Sequence, residues 1–121
     1  MDPRIKEHAR ILVEWSTEVK PGELVVLSAS PDSHELAIAV TKEVAKAGGS
    51  SIVLMESEEI ARAIYDGASD ETLQVFPSHL KALAEAADVY IGLKSPMNTR
   101  ALATVDPKRQ MIRAKTNKPL S

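Results

Sequence analysis

The sequence of 121 residues predicts a three-layer α/β fold, with a small parallel sheet of at least three strands in the order 2-1-3 flanked by helices. Three observations predict it. Leu24-Val25-Val26-Leu27 is an uninterrupted apolar run that passes through Ser28-Ala29-Ser30-Pro31 directly into a helical pattern, as a strand covered on both faces does in a parallel sheet. A second run, Ile52-Val53-Leu54-Met55, follows Gly48-Gly49 and reads as another buried strand, completing a β-α-β unit over residues 24–55. A third, Val89-Tyr90-Ile91-Gly92-Leu93, opens after Ala87-Asp88. Each crossover contains helix, and such returns are right-handed, so strands near residues 24–29, 51–56 and 89–93 are expected to run parallel with the first in the middle.

Asp2-Pro3 places a capping carboxylate before a proline at the first helical position. Ile5, Ala9, Leu12, Ser16 and Val19 then recur at helical spacing, predicting a first helix to about Val19, with Ile11 and Trp15 widening its apolar stripe and Trp15 in the core. Lys20-Pro21-Gly22-Glu23 ends it. The second helix shows Leu36, Ala37, Val40, Val44 and Ala47 on one side and Glu35, Lys42, Glu43 and Lys46 on the other. Short helices are expected over residues 58–65, 70–75 and 79–87, with Ser57, Ser69 and Ser78 as N-caps. After the third strand, residues 94–99 read as a loop and 100–105 as a turn of helix. Asp106-Pro107 repeats the cap-plus-proline signal for a last helix to about Asn117. The chain ends where a further strand is expected, as if cut, which would leave Val89, Tyr90, Ile91 and Leu93 poorly covered at a sheet edge.

The composition narrows the function classes. Four aromatic residues (Trp15, Tyr65, Phe76 and Tyr90) leave little for stacking single-stranded nucleic acid, and the absence of cysteine removes thiol nucleophiles, disulfides and cysteine-ligated metals. No apolar h-region or membrane-spanning stretch is present, which points to a soluble, cytoplasmic protein without a membrane partner. Residues 1–93 carry 8 Lys/Arg against 16 Asp/Glu, and residues 94–121 carry 7 against Asp106 alone. That step reads as a solvated last helix facing an acidic surface of the same protein in preference to a nucleic-acid-binding arm, since its cations are spread around the helix without interleaved aromatics.

The carboxyl end of the first strand is where open α/β sheets bind ligands, yet the turn there holds no glycine, which excludes a dinucleotide fingerprint. Ser30, Ser33 and His34, with Asn98 and Thr99 after the third strand, are the candidate crevice residues, Ser28 and Ser95 offer further hydroxyls beside them, and the residues of these loops also suit caps or turns. Asp32-x-His34-Glu35 is the one cluster resembling metal chemistry, but Ile38 stands where a zinc-protease helix needs its second histidine, so no metal ligand and no catalytic residue is assigned. His8 and His79 are expected at the surface. Neither a G-x-S-x-G elbow nor a P-loop lysine occurs.

Taken together, Asp2-Pro3-Arg4-Ile5 with Ala9, Leu12 and Val13, then Val19-Lys20-Pro21-Gly22-Glu23, Ala47-Gly48, Ala87-Asp88-Val89 and Val105-Asp106-Pro107 resemble the amino-terminal domain of the thermophilic metallo-aminopeptidases, the aminopeptidase T and aminopeptidase S group. The resemblance spans residues 1–121 and implies a Rossmann-like amino-terminal domain of a longer exopeptidase. It further implies that a carboxyl-terminal domain holds two divalent metal ions, zinc or cobalt, and acts on the free amino end of peptide substrates. This stretch is then a scaffold and cavity wall, inactive alone, and it is expected to form a homo-oligomer through the uncovered third-strand edge, the Met111 and Ile112 face of the last helix, or both. The alternatives are a free-standing Rossmann-like module that binds a small ligand at Ser30, Ser33, Asn98 and Thr99, and a protein-interaction module using the basic last helix.

Overall fold

The computed structural model describes residues 2–93, 107–109, 111 and 112. Of the described residues, 2–56 with 83–93 belong to one compact unit, and 57–82 with 107–109, 111 and 112 to another.

The first unit holds the sheet. Strands β1 (Leu24–Ala29), β2 (Ser50–Met55) and β3 (Val89–Gly92) are parallel in the order β2-β1-β3, as the sequence predicts. Leu27 lies beside Val53 and Ile91, which fixes the register on both sides of β1. With a hydrogen-bonded strand on each side, β1 is buried from Val25 to Ala29. Helix α1 (Pro3–Ile11) starts on Asp2, whose carboxylate accepts from the Arg4 amide at 2.8 Å. Helix α2 (His34–Lys46) follows a short turn, Pro31–Ser33. Ala9 and Val13 pack with Ala37, Ala39, Val40 and Val44 against Val25, Leu27, Ala29 and Ile91 to make the core. Each fully buried Val or Leu here contributes about 1.5–3 kcal/mol of transfer free energy.

The α2–β2 turn is set by two glycines. Gly48 has φ +89°, the left-handed region that ends a helix, and its amide carbonyl accepts from Gly22 N–H at 2.9 Å. A Cβ on Gly49 would lie 2.9 Å from both Val19 and Val44.

Three expectations are corrected in this unit. Regular helix stops at Ile11 and not near Val19, because a π-helical turn (Leu12–Ser16) follows, closed by Thr17, whose amide and hydroxyl both donate to the Leu12 carbonyl. Glu18 then turns left-handed at φ +48° and delivers Val19 to the core from outside the helix. Trp15 is not a core residue but 69% exposed. The buried line runs through Ala9 and Val13, and Ile11 and Trp15, each two residues further, lie about 200° round the helix on its outer side. Strand β2 is not buried either, since it forms the sheet edge, with Ile52 52%, Val53 42% and Met55 40% exposed. At the other edge, Tyr90 is exposed as expected, whereas Ile91 is buried and Val89 and Leu93 pack against the core.

In the second unit, α3 (Glu58–Gly67) and α4 (Asp70–Leu73) are capped by the predicted serines, with Ser57 Oγ accepting from the Ile60 amide and Ser69 Oγ from the Thr72 amide, each at 3.1 Å. Helix α4 is shorter than predicted and leaves Val75 exposed. Helix α5 (Ser78–Ala86) begins one residue early, so Ser78 is its first residue and not its cap. The Pro77 carbonyl instead accepts from the Leu80 and Lys81 amides. Residues 107–109, 111 and 112 are helical, in agreement with the predicted last helix. The rest of that helix, the 94–99 loop and the 100–105 turn lie outside the described residues. Arg109 donates to the Tyr65 carbonyl at 2.8 Å, to the Ala68 carbonyl and to Asp70 Oδ1 at 3.1 Å, neutralising the carbonyl end of α3.

Candidate ligand crevice

At the carboxyl end of β1 the chain leaves the sheet through Ser30, and Ser30, Asp32 and Ser33 are brought together there. Ser30 Oγ donates to Asp32 Oδ1 at 2.7 Å, and Ser33 Oγ donates to the Ser30 carbonyl at 3.0 Å. The Ser30 amide in turn donates to Ser33 Oγ at 2.9 Å, which is the reciprocal half of a capping box. A hydroxyl carries one proton, and both are committed within the turn. The loop is therefore preorganised around its own hydrogen bonds, and it launches α2 with Asp32 and Glu35 near the positive helix end. His34 and Asp32 are exposed, and Asn98 and Thr99 lie outside the described residues.

One further hydroxyl stands out. Ser28 is fully buried within β1, and its Oγ has no hydrogen-bond partner among the described residues. By register it shares a sheet face with Leu54 and Gly92, opposite to the face that Val25, Leu27 and Ala29 present to α1 and α2. Its hydroxyl, offered by the sequence for the crevice, lies inside the strand and not in the turn.

Among the described residues no three His, Asp or Glu side chains converge into a group able to hold a metal ion. His8 and His79 are exposed. A concavity of about 360 Å³ lies between α1 and α2, lined by Lys6, Ile38, Ala39, Lys42, Glu43 and Lys46. The i, i+4 spacing of Ile38, Lys42 and Lys46 was its signal in the sequence. Three ammonium groups and one carboxylate make it basic, and Lys46 reaches Glu43 at 3.5 Å. No described helix is long and apolar enough to cross a membrane.

Comparison with known proteins supplies what the geometry does not. The family model described as thermophilic metalloprotease (M29) matches residues 1–121. Among solved structures, wild-type AmpT from Thermus thermophilus is similar to this chain, with a TM-score of 0.77 at 20% identity. The match covers 95% of this chain and 31% of AmpT, so the chain spans about a third of that protein's length. No curated protein matches the chain.

Proposed function

The chain belongs to the thermophilic metalloprotease family M29, and from that premise we propose that it is the amino-terminal scaffold and cavity-wall domain of a metal-dependent aminopeptidase that removes amino-terminal residues from peptides. The observation that carries the reading is the family match along residues 1–121, joined to the α/β fold shared with AmpT. In this reading two divalent ions, zinc or cobalt, belong to a separate carboxyl-terminal domain. The side chains here do not fit such a centre, since the described residues hold no convergent ligand group and residues 94–121 add only Asp106 to the available carboxylates and imidazoles. No catalytic step is therefore assigned to them.

The carboxyl end of β1, with Ser30, Ser33 and His34 and with Asn98 and Thr99 by sequence, serves as part of the wall that a peptide passes. The intact enzyme is cytoplasmic and homo-oligomeric, and it binds neither nucleic acid nor membrane. Calorimetric titration of this chain with zinc tests the division of labour. No stoichiometric binding is expected, and tight one-to-one binding would put the metal centre inside these residues and overturn the proposal.

A further inference from the structure

We propose that the concavity between α1 and α2 is a docking site for an acidic peptide segment of a partner protein, one in which an apolar side chain is flanked by carboxylates. The inference goes beyond the aminopeptidase reading and does not depend on it.

Charge singles the place out. Residues 2–56 and 83–93 carry six Lys or Arg against eleven Asp or Glu, yet three of the six, Lys6, Lys42 and Lys46, line this one concavity. Arg4 is paired with Asp2, and Arg10 with Glu7 and Glu14. The sixth, Lys20, lies in the turn before β1 and does not line it. Lys6 and Lys42 form no ion pair among the described residues. Positive charge is thus gathered at one place on an otherwise acidic unit, and the field of the unit steers an acidic segment toward it.

The lining selects the kind of partner. On α2, Ile38, Lys42 and Lys46 recur at i, i+4 and i+8 and form one stripe about 12 Å long. Lys6 is added from α1. Ile38 is 48% exposed at the head of the stripe, an apolar contact beside the cations. Neither an arginine fork nor an aromatic ring lines the concavity, so a phosphate finds no bidentate grip and a base no stacking surface. A carboxylate is the group already seated there: Glu43, its side chain 15% exposed, meets Lys46 at 3.5 Å. That contact occupies Lys46 and leaves Lys6 and Lys42 to the carboxylates of a partner, with its apolar side chain on Ile38.

Calorimetric titration of the chain at low salt with a blocked peptide of alternating glutamate and leucine tests this. One-to-one binding is expected, with a dissociation constant on the order of 100 μM or lower that rises with added sodium chloride. Lys42→Glu and Lys6→Glu are each expected to weaken it at least about tenfold. Lys81→Glu makes the same change of charge at an exposed position in the other unit and is expected to leave it unchanged. Glu43→Gln, which releases Lys46 and removes a like charge, is expected to tighten it. Circular dichroism identifies any variant that fails to fold, and Lys42→Ala then takes the place of the charge reversal. Binding weaker than about 1 mM, or equal weakening by Lys81→Glu, would overturn the site. Inorganic phosphate or a single-stranded oligonucleotide binding as tightly as the peptide would overturn the acidic-peptide class, and a peptide of glutamate and serine binding as tightly would overturn the part given to Ile38.

Discussion

Leu24 and Asp88, 64 residues apart, hold each other by two hydrogen bonds: the Leu24 amide donates to Asp88 Oδ2 at 2.8 Å, and the Asp88 amide donates to the Leu24 carbonyl at 2.8 Å. The carboxylate thus takes the place of a backbone acceptor at the point where β3 joins β1, and it sets the register of Val25 on Val89. Asp88→Ala is expected to lower the unfolding free energy by about 1 kcal/mol, measured by urea denaturation, since one charge-assisted bond to a backbone amide is lost. Asp88→Asn keeps an acceptor and is expected to lose less. Equal losses for the two variants would mean that the side chain does not hold the strand.

Gly49 and Gly67 separate packing from propensity. A Cβ at Gly49 meets Val19 and Val44 at 2.9 Å, whereas one at Gly67 meets nothing within 4 Å. Gly49→Ala is expected to destabilise by about 1–3 kcal/mol through overpacking. Gly67→Ala, in the last turn of α3, is expected to be neutral or to stabilise by up to about 1 kcal/mol. Thermal unfolding of the two variants should therefore move in opposite directions or differ clearly in size.

Ser28→Ala removes a buried hydroxyl that has no partner among the described residues. Because the desolvated hydroxyl has already lost its water, the variant is expected to be as stable as the parent or up to about 1 kcal/mol more stable. A loss of more than about 1 kcal/mol would show that Oγ is hydrogen-bonded in solution.

The direction and order of the strands were legible because buried parallel strands announce themselves as apolar runs, and caps such as Asp2, Ser57 and Ser69 because a side-chain oxygen near an unpaired amide has few other uses. The burial of β2 was misread for the same reason that β1 was read correctly. An apolar run does not say whether a strand ends up central or at the edge, and only the sheet order decides that. Trp15 was misplaced because hydrophobicity outweighed phase: the stripe is set by Ala9 and Val13, small residues that admit close approach of α2. At the end of β1, Ser30 and Ser33 were singled out as candidates, but their engagement with each other and with Asp32 depends on rotamers that no spacing rule gives. The family could be recognised through turns and caps spread along the chain.

Asp2 makes the first helix sensitive to acid. The hydrogen bond from the Arg4 amide, aided by the Arg4 side chain, holds the Asp2 carboxyl below its ordinary value. A carboxyl whose pKa is depressed by folding contributes stability above its unfolded pKa of about 4 and loses it as pH falls through the lower folded value. Amide exchange in α1 is therefore expected to quicken as pH drops below about 4, relative to intrinsic rates, and Asp2→Asn, which still caps, is expected to abolish that dependence. An unchanged pH profile in Asp2→Asn would assign the effect elsewhere, with Glu7, depressed by its hydrogen bond from Arg10, the next carboxyl to replace.

The most direct test of the central claim is hydrolysis of an aminoacyl p-nitroanilide by the purified chain in the presence of added zinc or cobalt. As a scaffold domain without convergent metal ligands among its described residues, the chain is predicted to release no p-nitroaniline above the metal-only background. Turnover that survives repurification and is abolished by a chelator would contradict the account, and replacing Asp32, His34 and Glu35 would then be the first step in locating its source.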